Sequence, residues 1–164
     1  MHFEIERRFL VRDESILKRL HIRLTLKIGQ GYIAASDGNV VRVRSTSWSE
    51  AKRTYHLCVK GRATDRGMPE VETEISPEVG QDLFSLCGDR TLSKFRRIIP
   101  YRGSLKIEVD QFHFIRNRAT DLMIAEVELP AVGHPFKPPD WFGEEITGVE
   151  EFSNFSLATN GLPA

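Results

Sequence analysis

Charged side chains recur at every second residue in several segments of this sequence. The pairs with this spacing are Glu4 and Glu6, Arg42 and Arg44, Lys94 and Arg96, Glu108 and Asp110, and Glu126 and Glu128. Because successive strand residues point to opposite faces, the two members of each pair share one face. Carboxylates are the hard oxygen ligands that Mg²⁺ or Mn²⁺ prefers, and arginine and lysine bind phosphate oxygens. The pattern therefore predicts a site for a metal–polyphosphate complex.

The same alternation extends the charged face and leaves an apolar face opposite it. Further charged positions of this parity are Arg8, Lys60, Glu70, Glu72, Glu74 and Lys106. One such strand is typical of an open antiparallel sheet with a solvated face. Like charges two residues apart repel each other, however, and here they are sorted by sign on many strands. Opposite charges that face each other across a closed barrel, or bound ions, would offset that repulsion.

The alternating segments predict about eight strands with few helices between them. The strands span residues 3–11, 22–34, 40–47, 52–61, 70–75, 91–101, 104–114 and 122–129, and Gly29 and Gly31 are expected to break the second. Asp37-Gly38-Asn39 predicts a hairpin turn. Helices are predicted at 13–20, 77–86 and 149–160, with Asp13 and Ser76 as N-caps. The expected class is α+β, dominated by an antiparallel sheet or barrel, in one domain over 1–164.

Bulk composition excludes several classes of function. Lysine plus arginine equals aspartate plus glutamate, at 23 each, so no net charge attracts nucleic acid or an anionic membrane. No apolar run is long enough to span a bilayer, and the N-terminus lacks the apolar core of a secretory signal. Cys58 and Cys87 have no metal-binding spacing. We expect reduced thiols in a cytoplasmic protein.

A set of short motifs follows the chain in order. It consists of Glu4-Ile5-Glu6-Arg7-Arg8-Phe9-Leu10-Val11, Gln30-Gly31-Tyr32-Ile33, Val41-Arg42-Val43-Arg44, Val59-Lys60-Gly61, Glu70-Val71-Glu72-Thr73-Glu74-Ile75, Lys94-Phe95-Arg96, Glu108-Val109-Asp110, Ala125-Glu126-Val127-Glu128, Gly143-Glu144-Glu145-Ile146-Thr147 and Phe152-Ser153-Asn154. This ordered set resembles the CYTH domain, also called the triphosphate tunnel metalloenzyme family. The opening motif with Gln-Gly-Tyr is most similar to the bacterial inorganic tripolyphosphatase branch.

The resemblance implies an eight-stranded antiparallel tunnel with inward charges, triphosphate substrates and Mg²⁺ or Mn²⁺. The expected activity is metal-dependent hydrolysis of inorganic tripolyphosphate or a related small triphosphate, by in-line attack of a metal-activated water. We expect phosphate contacts from Arg8, Arg42, Arg44, Lys60, Lys94, Arg96 and Tyr32. We expect metal ligands among Glu4, Glu6, Glu126 and Glu128, with Glu72, Glu108 and Asp110 as further candidates. Arg8, Glu4 and Glu6 are the candidate catalytic residues.

Two departures from the family pattern bear on activity. Arg8 stands where the signature has lysine, and Phe152 stands where tyrosine is usual. Arginine keeps the charge but has a larger head and does not give up its proton. The resemblance also leaves a class IV-type adenylate cyclase as an alternative to hydrolysis, and the change at Arg8 leaves a non-catalytic polyphosphate or nucleotide binder as another. The expected partner is a small-molecule triphosphate, and the oligomeric state is open, with a homodimer as one option.

Overall fold

A computed structural model describes residues 2–49 and 52–164 of the chain. Its strands are β1 (His2–Glu4), β2 (Glu6–Leu10), β3 (Leu24–Ser36), β4 (Asn39–Ser49), β5 (Lys52–Lys60), β6 (Met68–Ile75), β7 (Thr91–Pro100), β8 (Lys106–Ile115), β9 (Arg118–Ala119) and β10 (Met123–Glu128). The α-helices are α1 (Pro77–Leu86) and α2 (Asn154–Asn160), and short 3₁₀ helices span Glu14–Lys18 and Glu150–Phe152. In these ranges no helix is long and apolar enough to cross a membrane.

The strands form one antiparallel sheet in the order β1-β6-β5-β4-β3-β7-β8-β10-β2, with β9 paired to β8. The two ends of this order, β1 and β2, are separated in the chain only by Ile5. The N-terminal segment therefore pairs with β6 on one side and with β10 on the other. With β1 and β2 counted as one interrupted strand, the pairing path contains the eight predicted strands, and the predicted α+β class is confirmed.

The expected break at Gly29 and Gly31 was wrong, because β3 runs through both glycines. Both lie under α1, where a larger residue has no room. A Cβ on Gly31 would lie 2.6 Å from Cys87 Sγ, and one on Gly29 would lie 2.9 Å from Ser45 Oγ. These glycines permit close packing of the helix on the strand and do not interrupt hydrogen bonding.

Local signals predicted the turn between β3 and β4 and the start of α1 correctly, but not the full extent of the first and last helices. Asp37 and Gly38 connect β3 to β4 with φ values of 54° and 79°, as a tight hairpin turn requires. The Ser76 side chain accepts a hydrogen bond from the Val79 amide and caps α1. Asp13 likewise caps residues 14–18, although these form a 3₁₀ helix and end earlier than predicted. Gly161 ends α2, and the predicted last helix is divided at Ser153.

Two apolar clusters hold the sheet in place. The first covers the predicted apolar face, where buried Val109 and Val127 pack beneath Trp141 and Phe142. The second contains Leu92, Phe112, Ile124 and Tyr32 and packs against Leu157 and Ala158 of α2. Leu92 and Ile124 are two residues from Lys94 and Glu126 and so share their face of the sheet. One part of the charged face is therefore apolar and carries α2.

Candidate functional site

The first part of the site is a buried ion-pair network centred on Glu126, formed by β2, β7, β8 and β10. Arg8 Nε lies 3.1 Å from Glu126 Oε1, and Arg96 Nη2 lies 2.6 Å from Glu126 Oε2. Arg96 also holds both oxygens of Asp110, at 2.7 Å each, and Lys94 pairs with Asp110. We call Arg8, Lys94, Arg96, Asp110 and Glu126 the Glu126 network. In this network the predicted phosphate ligands Arg8, Lys94 and Arg96 lie next to two predicted metal ligands, Asp110 and Glu126.

The charges of the Glu126 network shift one another's pKa. Burial lowers the pKa of Lys94 to about 8, although Asp110 opposes the shift. Burial would raise the pKa of Glu126, but the neighbouring Arg96, Lys94 and Arg8 lower it below its ordinary value. Burial would likewise lower the pKa of Arg96, yet Asp110 and Glu126 hold it well above the ordinary value. Glu126 is thus a permanent anion, and Lys94 is the cation most easily deprotonated.

The second part of the site is formed by β1, β4, β5 and β6. Arg42 Nη2 lies 3.3 Å from both Glu70 Oε1 and Glu72 Oε2. Lys60 Nζ lies 3.2 Å from Glu70 Oε2 and also pairs with Glu4. We call Glu4, Arg42, Lys60, Glu70 and Glu72 the Glu70 network. Burial would raise the pKa of Glu70, but Lys60 and Arg42, with the hydrogen bond from Cys58, lower it to about 2.

Cys58 lies on the charged face beside the Glu70 network. Its Sγ is 3.1 Å from Glu70 Oε1, and burial raises the pKa of the thiol to about 12. A packed thiol, rather than a nucleophile, fits this environment. Ligand atoms of Cys58, Glu70 and Glu72 lie within 4.8 Å of one another. Because Arg42 and Lys60 already neutralise these carboxylates, the group is poorly suited to a cation.

Glu6 connects the two networks electrostatically. Burial, Glu126 and Glu4 raise its pKa to about 8, and Arg8 and Lys60 only partly oppose this rise. Its carboxylate lies 3.6 Å from Arg8 Nε. The ionised form of Glu6 is therefore disfavoured, first by desolvation and second by the neighbouring Glu126 and Glu4. Carboxylates are the donors that a hard divalent cation prefers, but in the described ranges the oxygens of these three do not all lie within 4.8 Å of one another.

Arg44, in contrast, is a cation without an ion-pair partner among the described residues. Its Nε is buried without a hydrogen-bond partner, and in the described ranges no carboxylate lies within ion-pair distance of the side chain. Burial, with the like charges of Arg42 and Arg96, lowers the pKa of Arg44. Arg8 Nη2 is also buried without a partner. Buried donors on cationic side chains without acceptors are costly unless an anion completes them.

A cavity of about 570 Å³ opens beside Glu4, Glu6 and Arg8. It is lined by residues from both ends of the strand order, among them Glu4, Glu6, Arg8, Arg42 and Lys60. Tyr32 lines it as well, together with Ser153 and Asn154 at the start of α2. Four predicted phosphate ligands, Arg8, Arg42, Lys60 and Tyr32, thus meet at a space large enough for a small polyanion. Three others do not line it: Arg44, Lys94 and Arg96.

Some predicted residues lie away from this centre. Glu128 is exposed at the end of β10, and Glu74 is exposed on β6. Glu108 pairs with Arg96 and with exposed Lys106, whose Nζ is 2.6 Å from Glu108 Oε1. Lys106 and Glu74 therefore lie at the surface, and the roles assigned to Glu128 and Glu108 stay predictions.

Two residues at the site were not among the predicted site residues. Gln30 is fully buried on the charged face, and Asn154 Oδ1 accepts a hydrogen bond from Lys94 Nζ at 3.3 Å. Both belong to motifs that carried the family resemblance, Gln30-Gly31-Tyr32 and Phe152-Ser153-Asn154. Neither residue is charged, so a pattern of alternating charges does not include them.

The fold is an antiparallel sheet with a cavity bordered by acidic and basic side chains. The CYTH domain profile matches residues 2–158, and the chain belongs to this family. The predicted family membership is thereby confirmed.

Named relatives within the family are inorganic triphosphatases. The chain is 34% identical over 161 residues to the inorganic triphosphatase of Acetivibrio thermocellus, covering 96% of this chain and 94% of that protein. It is 29% identical to the inorganic triphosphatase of Nitrosomonas europaea, covering 94% of this chain and 96% of that protein.

Solved structures share the fold. A crystal structure of an inorganic triphosphatase superposes with a TM-score of 0.64 at 27% identity, covering 96% of this chain and 95% of that one. The PH1819 protein of Pyrococcus horikoshii, at 17% identity and a TM-score of 0.58, covers 84% of this chain and 81% of its own, and shares the fold alone.

Proposed function

We propose that this protein hydrolyses inorganic tripolyphosphate, or a related small triphosphate, in a metal-dependent reaction. The observation that carries the proposal is Arg44, a cation with a buried, unpartnered Nε beside Arg42 and Arg96. A cation so placed needs an anion that the described part of the chain does not supply. A triphosphate supplies several negative charges in a row, which suits cations spread over β2, β4, β5 and β7. The names of the relatives from Acetivibrio thermocellus and Nitrosomonas europaea support this choice.

We propose that the reaction takes place inside a closed tunnel. Support comes from β1 and β2, which pair with opposite ends of the strand order and are separated only by Ile5. It also comes from the cavity, whose lining includes residues of β1, β2, β4 and β5. A closed barrel excludes bulk water from its charges and so strengthens their action on a bound ligand.

The metal is proposed to be Mg²⁺ or Mn²⁺, held by Glu4, Glu6 and Glu126. The donor set fits in its chemistry, because all three residues are carboxylates, and desolvation, followed by the charges of Glu126 and Glu4, raises the pKa of half-buried Glu6 to about 8. When bound, the ion would neutralise phosphate charge and make a nearby water more acidic.

The side chains of the tunnel are assigned roles from their charge and placement. Arg8, Arg42, Arg44, Lys60, Lys94 and Arg96 bind and neutralise the phosphates. Tyr32 contacts a phosphate oxygen. Asp110 holds Lys94 and Arg96 in place, since it is buried between them. Of the carboxylates, Glu4 or Glu6 orients the attacking water, because phosphoryl transfer depends chiefly on positioning and charge neutralisation.

The test incubates the purified protein with Mg²⁺ or Mn²⁺ and, separately, tripolyphosphate, ATP and thiamine triphosphate. Phosphate release from tripolyphosphate that stops on chelation supports the proposal. Cyclic AMP and pyrophosphate from ATP would identify a cyclase instead. Tight binding without turnover of any of the three would identify a non-catalytic binder. The cellular location, the oligomeric state and the absence of nucleic-acid or membrane partners stay predictions.

A further inference from the structure

Strand β3 presents Gln30 and Tyr32 together on the charged face. They are two residues apart, and Gly31 between them faces outward against α1, where a Cβ would lie 2.6 Å from Cys87 Sγ. Both side chains are buried, with exposed fractions of 0% for Gln30 and 4% for Tyr32. Close packing of α1 on β3 therefore fixes the backbone from which both side chains project.

The two side chains are joined by a directed hydrogen bond. Gln30 Nε2 donates to the Tyr32 hydroxyl oxygen at 3.2 Å. A phenol hydroxyl has one proton to donate, and its oxygen can accept at the same time. Within residues 2–49 and 52–164, the bond from Gln30 is the only one that this hydroxyl makes. The hydroxyl proton is thus left to donate elsewhere.

The charged neighbours of Tyr32 cannot accept that proton. Arg42 lies directly opposite Tyr32 in the β3–β4 register, and Lys60 and Arg44 also act on it. All three are cations without a lone pair to offer. Tyr32 lines the cavity together with Arg42 and Lys60. Burial raises the pKa of Tyr32 despite these cations, so the hydroxyl keeps its proton at neutral pH.

Gln30 is not explained by folding stability. Its Oε1 is buried without a hydrogen-bond partner. A buried unsatisfied acceptor is unfavourable, and an apolar side chain of similar size would avoid it. Of the two polar atoms of the Gln30 amide, only Nε2 makes a hydrogen bond in the described ranges, and it donates that bond to Tyr32.

We propose that Gln30 is a positioning residue, which fixes the Tyr32 hydroxyl so that its proton donates to a phosphate oxygen of the bound triphosphate. By occupying the hydroxyl oxygen as an acceptor, the Gln30 amide directs the free proton to the ligand. The inference builds on the proposed triphosphate site and adds a residue that carries no charge and touches no substrate.

The test is a double-mutant cycle of Gln30→Met and Tyr32→Phe, with kcat and KM measured on tripolyphosphate. Each single variant should lower kcat/KM about tenfold, the lower range for a hydrogen bond to a charged group. The double variant should be no slower than Tyr32→Phe, because Gln30 acts through the hydroxyl. Gln30→Met should unfold at the same temperature as wild type or higher. The matched control is Gln111→Met, which removes an exposed bond to Glu14 and should leave the rate unchanged.

Wild-type kinetics in Gln30→Met, or losses that multiply in the double variant, would overturn the role of Gln30 while leaving hydrolysis intact. If wild-type protein binds tripolyphosphate without hydrolysing it, the same cycle on Kd, measured by calorimetry, decides the matter. Wild-type protein that neither binds nor hydrolyses tripolyphosphate would overturn the proposed function and this role together. If Gln30→Met fails to fold, Gln30→Leu repeats the cycle with a branched apolar side chain.

Discussion

Arg8 on β2 and Glu126 on β10 face each other directly in the sheet and form an ion pair, with Nε 3.1 Å from Oε1. Burial alone would lower the pKa of Arg8, but Glu126 and Glu6 raise it above its ordinary value. The arginine that replaces the signature lysine is therefore a permanent cation held beside a permanent anion. It is suited to binding phosphate and unsuited to proton transfer.

Replacing Glu126 with glutamine should nearly abolish activity. The change keeps the shape of the side chain but removes the charge that faces Arg8 and Arg96 and contributes to the proposed metal site. We expect phosphate release from tripolyphosphate to fall by about a hundredfold or more, the size of effect seen when one charge-stabilising group is lost. The rate should be measured at saturating Mg²⁺ and Mn²⁺. Glu144→Gln, at an exposed residue with a weak contact to Arg12, is the control and should match wild type. Equal rates in both variants would remove Glu126 from the site.

Substitutions at Arg8 separate its charge from its shape. Arg8→Met should reduce kcat/KM by about a hundredfold, because a cation near the phosphates is lost and Glu126 keeps only part of its compensation. Arg8→Lys should keep the rate within about tenfold of wild type, since the charge is retained while the planar head is not. Steady-state kinetics on tripolyphosphate measure both. A faster Arg8→Lys variant would show that arginine weakens this member of the family, and an inactive one would show that the guanidinium geometry is required.

Removing Arg44 should have opposite effects on stability and binding. In the ligand-free protein its charge is uncompensated, and Arg42 and Arg96 repel it. Arg44→Met should therefore raise the urea midpoint of unfolding while weakening tripolyphosphate binding by about tenfold or more. Calorimetry gives the Kd. Arg53→Met, at an exposed residue bonded to Ser47, serves as control and should leave binding unchanged. Loss of stability in Arg44→Met would contradict the proposal that Arg44 is a binding residue for the anionic substrate.

Glu6 should make stability depend on pH. Because burial, Glu126 and Glu4 raise the pKa of Glu6 from 4.5 to about 8, the folded state binds a proton that the unfolded state has lost between these values. The contribution of Glu6 to stability is thus largest below pH 4.5 and falls as the pH rises to about 8. In chelator-treated protein, Glu6→Gln should gain melting temperature relative to wild type over this range, and the difference should level off above it.

Divalent metal provides the companion measurement for Glu6. A bound cation lowers the pKa of nearby carboxylates, so Mg²⁺ or Mn²⁺ should stabilise wild-type protein more at pH 8 than at pH 5. The metal effect should be smaller in Glu6→Gln at both values. If the melting temperatures of wild type and Glu6→Gln depend on pH and on metal in the same way, Glu6 lies outside the metal site.

The sequence by itself determined the strand pattern, the charged face, the turn between β3 and β4 and the start of α1. Alternation has a period of two that folding does not change, so the shared parity of charged positions such as Glu126 and Arg42 follows from the order of residues alone. Ser76 caps a helix and Gly38 forms a turn. Both features depend on a few neighbouring residues, so the local sequence is enough to predict them. The ordered motifs added the family, which the profile match over residues 2–158 confirmed.

Tertiary structure decided which charges meet. Periodicity gives the face of a side chain but not its neighbour, because neighbours depend on strand order and register. Arg96 therefore proved to bind Asp110 and Glu126 from two different strands, whereas Glu128 on the same parity is exposed. The sequence suggested a strand break at Gly29 and Gly31. These glycines instead make room for α1, which lies about fifty residues away in the chain, so their local sequence does not reveal their role. The role of Gln30 depends on the contact between its amide and the Tyr32 hydroxyl, and an uncharged residue has no signature in a pattern of charges.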